Sequence, residues 1–472
     1  MRGNGFAMAV RRNARGPALD GAQTLVIGFG RSGRAASRLL LESGANVRVT
    51  DDATAERLRV AADEVPGGDA WLGRRDPAAL EGVDVVIASP GVAPHHPVLA
   101  AALDAGLPVY SELELGSWFL DAPTIAITGT NGKTTTTELL GAMGRASGLH
   151  THVAGNVGTP LSEVAGEPAD LCVIEVSSFQ LFLCEHFRPD VALLLNLTPD
   201  HFDWHPDFEH YATAKGRIFR RQRRSDAAVL PADDSTLRRR FSIPSTVYEF
   251  SATRVPPRGA FVRDDHVMLH VGDELEPVVA LSEWHLSGLH NLENLLAAAL
   301  GARLAGLSPE AIREGAAACR PMAHRMERVA TIAGVDYVND SKSTNPGSLE
   351  KALDPHVSTL LIAGGVTKGC DFRPLRDAVR QGARGVFLIG EGAADLATAW
   401  EGATELVQSG DLETALRGAA AEAKPGERVL LSPGCASFDQ FENYVHRGNR
   451  FRELVDAMES TNPEGRGKGG RE

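Results

Sequence analysis

Residues 128 to 136 read Thr-Gly-Thr-Asn-Gly-Lys-Thr-Thr-Thr, directly after the apolar run Ile125-Ala126-Ile127. A short β-branched strand that ends in a glycine turn, with Lys and Thr opening a helix near Thr134, is how a chain builds a cradle for phosphate. Gly129 and Gly132 let backbone N–H groups surround an anion, and the helix adds its positive N-terminal end. In such a cradle Thr130, Asn131 and Thr135 line the nucleotide, Lys133 reaches its β- and γ-phosphates, and the Thr134 hydroxyl binds Mg²⁺. The usual signature places four residues between its first glycine and Gly-Lys. Here that position is Ile127, and the nearest glycine, Gly129, is only two residues away. The departure points away from generic P-loop enzymes and toward a narrower group.

The same alternation recurs on both sides. Thr24–Ile27 runs as a strand into Gly28-Phe29-Gly30-Arg31-Ser32-Gly33. A helix follows to about Ser43, then a strand at Asn46–Thr50 and another at Val83–Ala88, which ends in Ser89-Pro90-Gly91. Beyond the phosphate loop, strands are expected at Leu171–Val176 and Val191–Asn196, with a late helix at Asn291–Leu304. A third stretch carries Thr359–Ala363, Gly385–Ile389 and Arg428–Leu431, each followed by glycine or serine. Alternating β and α predicts parallel doubly wound sheets with ligand crevices beyond the strand C-termini. The fold class is therefore α/β in three domains: a Rossmann-like N-terminal domain, a central P-loop ATPase-type domain and a Rossmann-like C-terminal domain. Their bounds are read as 21–111, 112–320 and 321–459, between an N-terminal arm at 1–20 and a disordered tail at 460–472.

Composition narrows the class of function. The chain has 472 residues, 43% hydrophobic and 23% charged, as in an ordinary soluble globular protein. No apolar run approaches the roughly 18 to 20 residues needed to cross a bilayer, so no membrane partner is expected. The 48 basic residues against 61 acidic ones leave a net charge of −13, which argues against nucleic acid as the main partner. Five scattered cysteines, without metal-type spacing, read as reduced thiols of a cytoplasmic protein. Residues 1 to 20 carry four Arg but no secretory h-region.

Several constellations carry chemistry, each with a plainer alternative beside it. Gly28–Gly33 with Asp51 and Asp52 matches a dinucleotide fingerprint, which serves nicotinamide enzymes and many other nucleotide or nucleotide-sugar binders alike. Glu175 closes a buried strand beside the phosphate loop, where a carboxylate binds Mg²⁺ directly or through water. His201 is an uncommon Mg²⁺ ligand and reads by itself as a hydrogen-bonding loop residue; Asp200 and Asp203 around it read as local caps. Lys215 falls in a helix near Tyr211, and from spacing alone it is a solvated side chain. In the third domain, Asn339-Asp340-Ser341-Lys342-Ser343-Thr344-Asn345 suits a ribose and a carboxylate or phosphate, or is a solvated polar loop. Arg325 reaches across a cleft from a hinge, or forms a salt bridge. The turns Gly364–Lys368 and Ser432–Ser437 are anion-friendly or simple connections.

Together these motifs resemble the Mur ligases, ATP-dependent amide-forming enzymes of peptidoglycan precursor synthesis. The marks are the GTNGKTTT loop, Gly155-Asn156-Val157-Gly158-Thr159-Pro160, Glu175-Val-Ser-Ser-Phe-Gln and His290-Asn291-Leu-Glu-Asn294. The Asn339–Asn345 stretch and the closing Ser-Pro-Gly-Cys-Ala-Ser-Phe-Asp-Gln-Phe look like the D-glutamate-adding branch. The match runs from about Thr24 to Val455, in order.

The resemblance implies ATP-dependent coupling of D-glutamate to UDP-N-acetylmuramoyl-L-alanine through an acyl phosphate. It implies that Arg31, Ser32, Asp51, Ser89 and Gly91 hold the uridine nucleotide and that Asn156 contacts the muramoyl part. Lys133, Thr134 and Glu175 would hold ATP and Mg²⁺, with His201 at a second metal and Lys215 carbamylated. Arg325, Asp340 and Lys342 would meet ATP, while Thr344, Lys368, Ser437 and Tyr444 would grip glutamate. The first domain would bind UDP rather than NAD. Substrates on either side of the ATP site imply domain closure, and a monomer acting on small molecules is expected. The alternatives are folylpolyglutamate synthase, a nicotinamide oxidoreductase and a non-catalytic nucleotide sensor.

Overall fold

The computed structural model describes residues 16–58, 69–202, 204–286, 288–319 and 323–461. Most of the N-terminal arm, most of the expected tail and Asp203 therefore lie outside the described residues. Within the arm, Leu19 is buried in the first domain's core, and at the other end the last helix runs through Thr461.

Three sheets organise the chain. The first is entirely parallel, in the order Ala70–Leu72, Asn46–Asp51, Gln23–Ile27, Val85–Ala88, Val109–Ser111. The order reverses beside Gln23–Ile27, the strand that feeds Gly28–Gly33, and that reversal opens a crevice.

The second sheet places Thr124–Thr128 between Val191–Leu194 and Leu171–Glu175, all parallel. Every residue of Thr124–Thr128 is buried. Ile125 and Ile127 face one core while Ala126 faces the other, as a central parallel strand covered on both faces requires. The helix Leu289–Leu304 is buried from Asn294 through Ala302, which explains its run of Ala and Leu. The far edge of this sheet departs from the all-parallel expectation. Gly259–Arg263, His266–His270 and Leu275–Ala280 pair antiparallel.

The third sheet runs Glu327–Ile332, Val335–Asn339, Arg428–Leu431, Thr359–Gly364, Gly385–Ile389, Glu405–Gly410. It is parallel except for its first hairpin.

The chain divides into two compact units. One holds the first two sheets, in the described residues up to Leu197 and in Asp207–Cys319. The other holds the third sheet, and Thr198–Pro206 belongs with it. A short stretch inside the central sequence region is thus claimed by the C-terminal unit. In the first unit the helix Glu112–Ser117 joins the two sheets. Its Glu114 carboxylate accepts from the backbone N–H of Glu185, His186 and Phe187 at 3.2, 2.8 and 3.0 Å. Glu112 accepts from the backbone N–H and the hydroxyl of Ser162, both at 2.7 Å.

Candidate active site

The phosphate loop is held open by residues far away in sequence. Gly132 has φ of +87° and precedes the helix Lys133–Ala146. A Cβ there would fall 2.3 Å from Oδ1 of Asn294, so only glycine fits both the conformation and the space. Asn196 clamps the loop from the next strand end. Its side chain accepts from Asn131 N at 2.8 Å and donates to Asn131 O at 3.0 Å. The Lys133 ammonium donates to the carbonyls of Gly129 and Thr130, both at 2.9 Å. This preset cradle places a cation where phosphate oxygens would lie.

Glu175 ends the strand paired with the one that leads into the loop, opposite Ile127. Its Oε1 accepts from Asn156 Nδ2 at 3.0 Å, while Oε2 is buried with no hydrogen-bond partner. A buried carboxylate oxygen without a partner is costly unless a cation completes it. Thr134, at the start of the helix, is also buried. One carboxylate and one hydroxyl beside a phosphate cradle fit Mg²⁺, which keeps waters and takes substrate phosphates as ligands. No cluster of three or more acidic, His or Cys side chains able to hold a metal by itself occurs among the described residues.

Lys215 corrects the reading from spacing. It is 2% exposed, not solvated. Its helix, Phe208–Gly216, turns the ammonium inward, where it donates to Gly129 O at 2.9 Å and stands 4.8 Å from the Tyr211 ring centroid. Helical periodicity failed here because this helix is buried on the side that carries the lysine. His201, by contrast, falls in the Thr198–Pro206 segment of the other unit. It adopts φ of +60°, and its ring Nε2 stands 3.6 Å from Asp200.

The expected uridine-nucleotide residues share one cavity of about 760 Å³. Arg31, Ser32, Asp51, Ser89, Gly91 and Asn156 all line it, and its size suits a ligand larger than a simple metabolite. Asp51 spends its carboxylate on the glycine turn, accepting from Phe29 N at 2.6 Å and Ala53 N at 2.7 Å. Ser89 likewise donates to Gly28 O at 2.8 Å. Asn156 both lines this cavity and touches Glu175, so one side chain joins the cavity to the buried carboxylate beside the loop.

In the C-terminal unit, loops following three neighbouring strands meet. Gly434 N donates to Ser343 O at 3.0 Å, and Val366 pairs with Ala436. Those contacts bring the loops carrying Thr344, Lys368 and Ser437 alongside one another. Lys368 has φ of +53° and donates to Asp200 at 2.8 Å, while Asn345 donates to the other oxygen of Asp200 at 2.9 Å. Burial alone would push Asp200 up, but Lys368 and His201 bring it below the usual carboxylate range. Asp200 is therefore a cross-loop anchor and more than a local cap.

Asp340 is buried and accepts from Ser432 Oγ at 2.8 Å and Met326 N at 3.2 Å. Burial pushes it up to about 6, against the pull of Ser432 and the Arg325 charge. Tyr444 stands beside Lys342 and His324: the Lys342 ammonium is 5.7 Å from its ring centroid, and His324 packs edge-on at 6.4 Å.

Comparison with known proteins accounts for this arrangement. Family models described as the Mur ligase MurD-like N-terminal domain, the Mur ligase middle domain and the Mur ligase glutamate ligase domain match residues 22–111, 127–302 and 324–435. This chain belongs to the Mur ligase family. A UDP-N-acetylmuramoylalanine–D-glutamate ligase of Acidobacterium capsulatum is 42% identical over 93% of this chain and 96% of its own length. The one from Salinibacter ruber is 43% identical over 92% and 97%. Among solved structures, a pseudomurein peptide ligase type C from Methanothermus fervidus superposes with a TM-score of 0.58. It is 18% identical and covers 92% of this chain and 100% of that one. MurF ligase from Thermotoga maritima in complex with ADP gives 0.57 at 16% identity, over 94% and 96%. At such identities the likeness concerns the fold.

In this Mur ligase, sequence reasoning missed the residues that support the site from a distance. Asn196 and Asp200 carried no local signal that named their partners. Asn294 stood in the His290–Asn294 motif, but its place against the loop needed the fold. Asp52, Arg75 and His96 also line the large cavity, with Asp52 bonded to Arg75 at 2.7 Å and His96 at 3.0 Å. Burial would raise Asp52, but bonds and charge from His96 and Arg75 hold it low. The His95-His96-Pro97 run ahead of a helix was the available signal.

Proposed function

We propose that this Mur ligase joins D-glutamate to UDP-N-acetylmuramoyl-L-alanine with hydrolysis of ATP to ADP and phosphate, in cytoplasmic cell-wall precursor synthesis. The observation that carries the reading is the Asn156–Glu175 contact, which couples a nucleotide-sized cavity to a phosphate cradle. Relatives at 42% and 43% identity over nearly the whole chain bear the name of that activity, which leaves folylpolyglutamate synthase disfavoured.

The substrate's L-alanyl carboxylate attacks the γ-phosphorus of ATP, the bond to the bridging oxygen breaks, and ADP leaves. The glutamate amine then attacks the acyl carbon, loses a proton and expels phosphate. The first step brings anions together. Two unit charges at about 4 Å repel by roughly 4 kcal/mol at an effective dielectric near 20. Lys133 offsets that repulsion from the loop, and the backbone N–H groups before the helix add to it. Bound Mg²⁺, held by Thr134 and Glu175, would supply further neutralisation of the phosphates. His201 would serve a second such ion. Carbamylation of Lys215 would turn a buried cation into an anion able to support metal.

Arg325, Asp340 and Lys342 would meet ATP, while Thr344, Lys368, Ser437 and Tyr444 would receive glutamate. Five free cysteines fit a reducing compartment, and the enzyme is taken to act as a monomer on small molecules. Phosphate release with each substrate omitted in turn, and with L-glutamate replacing D-glutamate, tests the reading. Release should require ATP, the UDP-sugar and D-glutamate together. Release indifferent to the UDP-sugar would overturn it.

A further inference from the structure

Arg447 is among the most deeply buried side chains of the C-terminal unit, at 1% exposed. It lies in the helix Tyr444–Thr461. Its Nε donates to Ser341 Oγ at 3.0 Å, and its Nη2 to Ser341 O at 2.9 Å and Cys435 O at 3.1 Å. Ser341 Oγ in turn donates to Tyr444 O at 2.8 Å. The next residue, Gly448, fixes the same helix, since a Cβ there would sit 2.2 Å from the His324 ring. Asn339 also donates to Gly448 O at 3.1 Å.

One guanidinium therefore ties together the Asp340–Asn345 loop, the Ser432–Ser437 loop and the start of the last helix. Among the described residues, no carboxylate lies within ion-pairing distance of it. Burial pushes Arg447 down to about 10, so it is still a cation at neutral pH. Asp439 and Asp340 favour the charge from beyond ion-pairing distance, but burial outweighs them. Burying a charge without a direct partner is expensive, and a neutral donor such as glutamine could satisfy two carbonyls at lower cost. The retained charge is accounted for if an anion binds nearby, and glutamate brings two carboxylates.

We propose that Arg447 is a positioning residue for the amino-acid substrate: it locks the Ser341 and Cys435 loops in register and holds a fixed positive charge behind the glutamate pocket. The proposal rests on the assignment of Thr344, Lys368 and Ser437 to that pocket.

The test is steady-state kinetics on the full-length enzyme for Arg447→Gln, Arg447→Lys and Ser437→Ala, with thermal unfolding alongside. Arg447→Gln should raise KM for D-glutamate about tenfold, with KM for ATP and for the UDP-sugar within twofold of the parent. Arg447→Lys should recover most of that loss. An unchanged KM for D-glutamate in Arg447→Gln, or equal losses for all three substrates, would overturn the proposal. If Ser437→Ala also leaves KM for D-glutamate unchanged, the pocket assignment itself has failed. If Ser437→Ala raises it and Arg447→Gln does not, only the role of Arg447 falls. Should Arg447→Gln fail to fold, Ser341→Ala decides: a several-fold rise in KM for D-glutamate supports the role, and no change overturns it.

Discussion

Lys215 and Asp340 show how much a single buried group is asked to do. Lys215 is 2% exposed and donates to the carbonyl of Gly129, the same carbonyl that Lys133 engages. Two ammonium groups therefore converge on one carbonyl, and the proposed conversion of Lys215 to a carbamate would remove the repulsion between them. Lys215→Ala is expected to lose at least a hundredfold in kcat, the scale of losing one electrostatic contributor. Added short carboxylic acids should restore part of it. Phosphate-release rates with and without acetate check this; full activity in the variant would count against the carbamate.

Asp340 gives a pH signature. Its folded value is about 6, above the ordinary 3.8, because burial outweighs its hydrogen bonds. The folded state therefore favours the protonated form. The stability this contributes is fully present below about 3.8 and is lost as pH rises through about 6. The swing is on the order of 3 kcal/mol at most. Urea unfolding of Asp340→Asn across that window should show a flatter pH dependence than the parent; identical profiles would contradict it.

The places of Glu175 at a strand end and of Lys133 and Thr134 at a helix start were legible in sequence because strand, turn and helix follow one another locally. Asn196 and Asp200 were not, since their partners sit 65 and 145 or more residues away. No periodicity reports such a pairing.

At the scale of elements, the short helix Glu112–Ser117 is the joint between the first two sheets. All its residues are buried, and Glu114 accepts from three backbone N–H groups and from Trp118 Nε1. Glu114→Ala would orphan those donors and is expected to destabilise the first unit by roughly 3 kcal/mol or more. Denaturant unfolding checks this, and a loss under about 1 kcal/mol would contradict the role. Burial pushes Glu112 up, against its bonds from Ser162, so Glu112→Gln should be far milder.

Elements with strong apolar runs were readable. Thr359–Gly364, Gly385–Ile389 and Arg428–Leu431 fall where the alternation placed them. The antiparallel edge was harder. Its strands are short and only His266–His270 alternates in burial, and the first hairpin turns on Asp264-Asp265, both at positive φ. That primed turn is usually announced by Asn-Gly or Asp-Gly; two aspartates gave a weaker signal.

The whole molecule is two compact units, and each carries part of the set of residues expected at the site. The 128–136 loop, Glu175, Lys215 and the cavity lined by Arg31 and Asn156 belong to one; His201, Asp340 and the Lys368–Asp200 pair belong to the other. Motif order along the chain made the three-domain plan legible. It did not reveal that Thr198–Pro206 is held by Lys368 and Asn345, because a charged pair between distant loops leaves no trace in local composition.

In the proposed reaction the γ-phosphate of ATP passes to the substrate carboxylate before the amide forms. UDP-N-acetylmuramoyl-L-alanine carrying ¹⁸O in both oxygens of its alanyl carboxylate tests this directly, by mass spectrometry of the phosphate released on reaction with ATP and D-glutamate. One ¹⁸O should appear in each phosphate, because the acyl C–O bond breaks when the amine attacks. Unlabelled phosphate alongside formed product would contradict the acyl-phosphate route and, with it, the proposed purpose of the cradle at residues 128–136.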